Sequence, residues 1–302
     1  MPSIFFVTGS RDVAEHVALA RYTTIGTGGP ARWFERPETL DELRRHLAWA
    51  AEQNVEVQTI GLGSNLLVAD AGVDGLVLKL AGELAAVRVE GEMLIAGGGA
   101  PNAVALHRAR DAGLGGFEFA AAIPGTAGGG LRMNAGAYGR DWREVLIDAV
   151  VVDAEGARTV TGEELDLSYR HSSLGPGQVV AEVRFRLTPR PPAEVKAHAA
   201  DLLAQRKATQ PTNKRTFGSV FKNPADGPGA GRLIEDCGLK GHRIGGAQIS
   251  PRHANFIENP GEATTADCIA LMAEARRRVW EQSGIRLEHE VQFLGPLELP
   301  AL

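Results

Sequence analysis

The sequence predicts an α+β fold in more than one part, and three observations carry that reading. Stretches with strand alternation and stretches with helical periodicity mix along the whole chain, without a strict βαβ repeat. Three prolines fall within TPRPP, 188–192, and mark a boundary near residue 190. A chain of 302 residues is also long enough to divide into two or three packed parts.

TLDELRRHLAWAAEQN, 39–54, is the first clear helix. Thr39 and Glu42 have capping-box spacing, and Leu40, Leu43, Leu47 and Ala51 share a face. VEVQTI alternates as a strand and runs into GLGSNLLVAD, and GLVLKL (75–80), VRVE and MLIA are three more strands. Pro101 suits the first turn of the helix in NAVALHRARDAG, which Gly113 is placed to end. PGTAGGGLRMNAGAYG, 124–139, holds six glycines; it makes poor helix and poor strand, and implies backbone brought close to something. VLIDAVVVD (145–153), ARTV (157–160) and QVVAEVRFRL (178–187) close the first part as strands. Beyond TPRPP, helices are expected over AEVKAHAADLLAQRK, around GRLIEDCG, and over TADCIALMAEARRRVWEQSG, capped by Thr264 and stopped by Gly284. RIGGAQI and ANFIE are strands, and IRLEHEVQFLG is the last.

Composition is that of a soluble globular protein, 44% apolar and 23% charged with mean hydropathy −0.11. A net charge of −5 gives no basic field, which argues against nucleic acid as a partner. No apolar run reaches the roughly 18 residues of a membrane helix. MPSIFFVTGSRD lacks the build of a signal peptide, so cytoplasm is the default location, and no obligatory protein partner is evident. Cys237 and Cys268 form no CxxC pair and are expected to be structurally buried; no metal site is expected.

The glycine-rich loops fit no standard phosphate motif. There is no Gly-Lys pair for a Walker loop, and GxGxxG fails because Gly61-x-Gly63 continues to Leu66 and Gly97-x-Gly99 to Asn102. GLGSN follows a strand, so the amides of Gly61, Gly63, Ser64 and Asn65 could converge on an anion, with PGTAGG doing the same from a second loop. Two such loops suit a diphosphate, while either alone is equally a tight turn.

Taken in order, YTTIGTGGPARWFERP (22–37), GLGSNLLVAD (61–70), GFEFAAAIPGTAGGGLRMNAGAYG (116–139), LSYRHSSL (167–174), GSVFKNP (218–224), AGRLIEDCGLKGHRIGGAQIS (230–250), HANFIEN (253–259) and LEHEVQFLG (287–295) resemble the UDP-N-acetylenolpyruvoylglucosamine reductase (MurB) family, flavoenzymes of peptidoglycan synthesis. The short link from LLAQRKATQP to GSVFKNP is similar to the compact type II form. One departure is Gly26-Thr27, where a bulkier residue and Arg or Val are usual. The resemblance implies a two-part FAD-binding region of the vanillyl-alcohol-oxidase (PCMH) type over 1–190, split near residue 83, then a smaller α+β substrate-binding domain over 191–302.

The activity implied is NADPH-dependent reduction of UDP-N-acetylenolpyruvoylglucosamine to UDP-N-acetylmuramate, with FAD held non-covalently. Hydride passes from flavin N5 to the enolpyruvyl CH2 carbon, and the adjacent carbon is protonated. By motif match, Arg170 lies at the substrate carboxylate, Ser219 is the proton donor and Glu290 stands beside the enol carbon. In isolation these residues would pass for a surface arginine, a turn serine and a solvent-facing strand glutamate; the last description is assigned to Glu288. The match further implies FAD contacts at Gly61, Gly63, Ser64, Asn65 and Leu66, at Gly125, Thr126, Gly128 and Gly129, and at Asn134, Ala135 and Gly136. Tyr169 and Asn223 are implied as substrate contacts, with Lys207 near the UDP diphosphate. His171, His242, His253 and His289 are expected to be structural or merely nearby, and Arg276–Arg278 to form a solvated helix face. The alternatives are an FAD-dependent oxidase or dehydrogenase of a small alcohol, and a non-catalytic flavin- or nucleotide-binding module.

Overall fold

The computed structural model describes residues 13–302, so the expectation about MPSIFFVTGSRD lies outside the described residues. The first part holds β1 (Ala14–Ala18), β2 (Pro30–Glu35), α1 (Leu40–Glu52), β3 (Val57–Thr59), β4 (Leu66–Val68) and β5 (Val73–Leu78). Its sheet runs β1-β2-β5-β3, with β1 antiparallel to β2 and the other pairs parallel. Thr39 caps α1 by accepting from Glu42 N at 3.2 Å, but the Glu42 carboxylate reaches the N–H of Glu38 at 2.8 Å. Leu43, Leu47 and Ala50 form the buried face, while Leu40 and Ala51, expected on that face, are exposed.

The second part contains β6 (Val87–Glu90), β7 (Met93–Gly97), α2 (Asn102–Asp111), β8 (Leu114–Gly115), α3 (Ala127–Arg132), β9 (Gly136–Ala137), β10 (Arg140–Asp141), β11 (Leu146–Asp153), β12 (Gly156–Thr161), β13 (Val179–Arg186), β14 (Thr188–Pro189) and α4 (Pro192–Thr209). Five strands form an antiparallel sheet in the order β12-β11-β13-β7-β6. Pro101 is the residue before α2 rather than in its first turn, and Gly113 follows the helix at a φ of 71°.

The glycine run departs from expectation: part of it is helical. Thr126 caps α3 through its hydroxyl on Gly129 N. A Cβ on Gly128 would lie 2.9 Å from the Gly98 carbonyl oxygen, and one on Gly130 would lie 2.5 Å from the Trp142 ring. Glycine's poor helix propensity, about 1 kcal/mol per residue, is therefore accepted where the helix must approach its neighbours this closely. Trp142 itself sits fully buried among Phe117, Phe119 and Phe185, with ring centroids 5.3 to 5.9 Å away.

A second departure concerns α4, expected to open the substrate-binding part. Val195 and Leu202 bury in the core of the second part instead. Fully buried Glu118 accepts from Arg190 Nη1 at 3.1 Å, and Arg206 Nη1 donates to the Ala122 carbonyl at 2.9 Å. By packing, the third core begins beyond Thr209.

That third part holds β15 (Thr216–Ser219), α5 (Ala230–Asp236), β16 (Arg243–Ile244), β17 (Ala247–Ile249), β18 (Phe256–Glu258), α6 (Thr265–Ser283) and β19 (Gln292–Leu294). Its antiparallel sheet runs β15-β18-β17-β16, and α6 buries Leu271, Met272, Ala275 and Val279 in the same core. Thr264 and Asp267 form a capping box on α6, and Gly284 ends it at a φ of 69°. Arg276 corrects the expected solvated arginine face: Arg277 and Arg278 are exposed, but Arg276 is buried and donates to the Pro300 carbonyl at 3.1 Å. Burial pushes the Cys268 thiol up to about 12, whereas Cys237 is only partly buried. The single last strand expected over IRLEHEVQFLG divides in two. Residues 288–290 bond to 220–222, and β19 pairs in parallel with β4 of the first part. Among the described residues no helix is long and apolar enough to cross a membrane.

Candidate active site

A cleft of about 520 Å³ opens where the three parts meet. One wall is GLGSN, the turn between β3 and β4. None of the backbone N–H groups of residues 61–65 finds an acceptor among the described residues, and the same holds for those of Gly125 and Thr126 in the facing loop. The two loops are in close contact: Ser64 Oγ donates to the Pro124 carbonyl at 2.7 Å, and a Cβ on Gly61 would lie 2.7 Å from Thr126 Oγ1. At Gly63 the φ of 67° and the Tyr22 carbonyl, 2.0 Å from an ideal Cβ, leave room only for glycine. Asn102 adds a buried acceptor to the wall. Its Nδ2 donates to the Ile123 carbonyl, while its Oδ1 has no partner.

The opposite side carries the charged groups. Arg170 Nε donates to Glu290 Oε1 at 2.7 Å and its Nη2 to the Gly136 carbonyl at 3.1 Å; both side chains of the ion pair are at least four-fifths buried. Burial raises the pKa of the Glu290 carboxyl, with Arg170 and Lys222 pulling the other way. The backbone fixes this glutamate from two directions. Its N–H donates to the Val220 carbonyl at 2.8 Å, and its carbonyl accepts from Asn65 Nδ2 at 3.2 Å. Ser219, one residue before Val220, therefore stands beside it at the end of β15, and its hydroxyl makes no hydrogen bond among the described residues. The amide-lined loop, the backbone beside the serine and the ion pair thus belong to one hydrogen-bonded frame.

Comparison with known proteins identifies the family of the chain. A reductase from Symbiobacterium thermophilum, named UDP-N-acetylenolpyruvoylglucosamine reductase 2, is 46% identical over 92% of this chain and 90% of its own. The chain belongs to the UDP-N-acetylenolpyruvoylglucosamine reductase family. Its residues 31–162 match the FAD binding domain family, and 210–294 match the C-terminal domain described for the reductase. The reductase of Agathobacter rectalis is 41% identical over 92% of both chains. The crystal structure of the Thermus caldophilus reductase superposes with a TM-score of 0.81 at 38% identity, covering 93% of this chain and 98% of that one. The FAD-binding region and the α+β fold expected from the sequence are those of this reductase family.

The structure sorts the expected site residues. Arg170, Ser219 and Glu290 all line the cleft, as do Gly61, Gly63, Ser64, Asn65, Leu66, Gly125, Thr126, Gly129, Ala135 and Gly136. Gly128 does not; it is buried against Gly98. Asn134 is also outside the lining, because its side chain is fully engaged with protein groups. Tyr169 and Asn223 meet each other, with Asn223 N–H donating to the tyrosine hydroxyl at 3.4 Å, but lie outside the lining of the cleft. Lys207 is exposed on α4, and its neighbour Arg206 lines the cleft instead. An arginine donating to Ala122 and Gln210 from inside the helix's buried edge gave no motif to find it by. Arg132, on α3, is a second cation of the lining that the sequence reading passed over. It is held by the carbonyls of Leu174, Gly175 and Gln178. Gly26-Thr27 falls on the seam to the third part, where Thr27 accepts from Thr265 Oγ1 at 2.9 Å. None of the four histidines named above lines the cleft, and Glu288 is solvent-facing, 3.7 Å from Lys222.

Proposed function

We propose that this chain reduces UDP-N-acetylenolpyruvoylglucosamine to UDP-N-acetylmuramate in the cytoplasm, using FAD and NADPH, with Arg170, Ser219 and Glu290 at the reacting atoms. The observation that carries the reading is the meeting, in one cleft, of a partnerless row of amides with a buried Arg170–Glu290 pair and the unbonded hydroxyl of Ser219. The residues present fit a flavin dinucleotide. Free amides of residues 61–65, with those of Gly125 and Thr126, would hold diphosphate oxygens, and Asn102 Oδ1 would accept from an N–H or O–H of the same group. When bound, the flavin supplies hydride chemistry.

Hydride arriving at the vinyl CH2 leaves negative charge on the adjacent carbon and its carboxylate. Arg170 counters that charge with a guanidinium that stays protonated and is already held in place by Glu290 and Gly136. Ser219 gives its proton to the adjacent carbon, producing the lactyl ether. Serine is a weak acid, and Arg170 nearby favours the alkoxide left behind. Glu290, with its carboxyl pKa raised by burial, polarises the enol side and orients the guanidinium.

The test is anaerobic titration of the purified holoprotein. NADPH should bleach the flavin absorbance, and UDP-N-acetylenolpyruvoylglucosamine should restore it without oxygen. Bleaching without recovery on that substrate overturns the assignment. Reduction by a small alcohol in place of NADPH would favour the oxidase alternative.

A further inference from the structure

We propose that Asn134 is a positioning residue for Arg170, acting through the turn that carries the arginine; this rests on the reductase reading above. Arg170 has a φ of 55°, a left-handed conformation that arginine rarely adopts. It occupies the third position of a tight turn in which Ser168 and His171 exchange backbone hydrogen bonds of 3.3 and 3.2 Å. Positive φ at that corner ordinarily selects glycine. An arginine persists there only if the surroundings over-determine the turn.

Asn134 does so. It is 1% exposed, and its Nδ2 donates to the Ser168 carbonyl at 2.9 Å and to Asp141 Oδ2 at 3.1 Å. Its Oδ1 accepts from Arg143 N–H at 3.0 Å. Both amide hydrogens thus have protein acceptors, and the side chain lies outside the cleft lining. The same segment touches the far end of the arginine, since the Gly136 carbonyl accepts from Nη2 at 3.1 Å. Residues 134–136 therefore hold Arg170 at the base of its turn and at the guanidinium. Without the Asn134 side chain the Ser168 carbonyl keeps only the His171 N–H from within the turn and loses the donor that anchors it to the neighbouring segment, so the turn is released to relax toward negative φ. Relaxation carries Arg170 away from Glu290 and from the substrate carboxylate.

The experiment compares Asn134→Ala and Asn134→Gly with wild type as flavin-loaded proteins in stopped flow. Reduction by NADPH should stay within about twofold of wild type. Reoxidation by UDP-N-acetylenolpyruvoylglucosamine should slow about tenfold in both variants, the effect of one lost hydrogen bond. In an Arg170→Ala background, Asn134→Ala should slow it no further. Glycine tolerates the φ of 37° at position 134, so recovery in Asn134→Gly would assign the effect to backbone strain and overturn the proposal. Equal slowing of both half-reactions, or an additive loss in the double variant, overturns it too. A readout independent of turnover is the Arg170 Nε–H resonance in heteronuclear NMR of the holoprotein. The hydrogen bond to Glu290 should protect it from exchange in wild type and not in Asn134→Ala. If wild type is not reoxidised, the reductase reading fails while the resonance still decides this proposal, and an unchanged resonance refutes it.

Discussion

Replacing Arg170 by Met isolates the worth of the buried ion pair. Both residues are unbranched and equally ill-suited to a φ of 55°, so backbone strain cancels in the comparison. The guanidinium side chain is 20% exposed and the Glu290 carboxylate 14%, and they meet at 2.7 Å. Removing one partner of a buried pair costs about 3–5 kcal/mol, and this partial exposure places the loss near about 3 kcal/mol. The lost bond to the Gly136 carbonyl adds about 1 kcal/mol. The total depends on pH with a definite sign. Burial already raises the folded pKa of Glu290 above its ordinary value, and loss of Arg170 removes the main opposing pull. Between the ordinary and the raised value the folded state binds more protons, so stability falls as pH rises through that window. The deficit of Arg170→Met should therefore be about 4 kcal/mol at a pH above the raised value of Glu290 and shrink to about 1 kcal/mol at a pH below its ordinary value, where the carboxyl is neutral in both folded and unfolded chains. Urea unfolding of the holoprotein at both pH values measures it. Adding Glu290→Gln should recover most of the deficit at the higher pH. A deficit equal at both pH values would refute the reasoning, since it would mean that no uncompensated carboxylate is left behind.

Ser219→Ala should leave flavin reduction by NADPH intact and slow reoxidation by the nucleotide-sugar by about a hundredfold or more, as loss of a general acid does; equal loss in both half-reactions would remove the serine from proton donation. Gly130→Ala, whose new Cβ would sit 2.5 Å from the Trp142 ring, should cost about 2 kcal/mol in a urea or thermal unfolding series. Gly129→Ala should spare stability and weaken flavin loading, because its Cβ meets only Thr126 Oγ1, at 3.4 Å, on the cleft side. Arg206→Ala should lower kcat/KM for the nucleotide-sugar by about tenfold or more, and Lys207→Ala by less than about twofold, as steady-state kinetics would reveal.

What the sequence disclosed and what it concealed differ by the range of the interaction involved. Thr264, Asp267 and Gly284 delimit α6 through contacts within a few residues, so the helix was legible from its own ends. The loops GLGSN and PGTAGG were legible because glycine at those points serves backbone geometry. The helix α3 was not, since it depends on Trp142 and on the Gly98 backbone rather than on local propensity. TPRPP marked a real break in local structure, yet α4 turns back onto the second core through Val195 and Leu202, which no proline pattern reveals. Arg276 looked like its two neighbours until Pro300 was found at the other end of its side chain. At the site, the family resemblance pointed to Arg170, Ser219 and Glu290, all of which line the cleft, whereas the choice of Arg206 over Lys207 as the cleft residue depends on the rotation of α4 against Ala122.

The parallel seam between β4 and β19 has a consequence for how the chain is made. Asn65 and Glu290 are bonded across 225 residues of sequence, and β19 closes on β4 just beyond them. Contacts of such separation form late, because the loop entropy must be met before they contribute. During synthesis the chain must emerge past residues 290–294 before the GLGSN loop acquires its last support. A ribosome-bound or prematurely ended chain can therefore fold sheets but cannot finish the cleft. The Glu290 carboxylate thus reaches the cleft together with the strand that closes the fold.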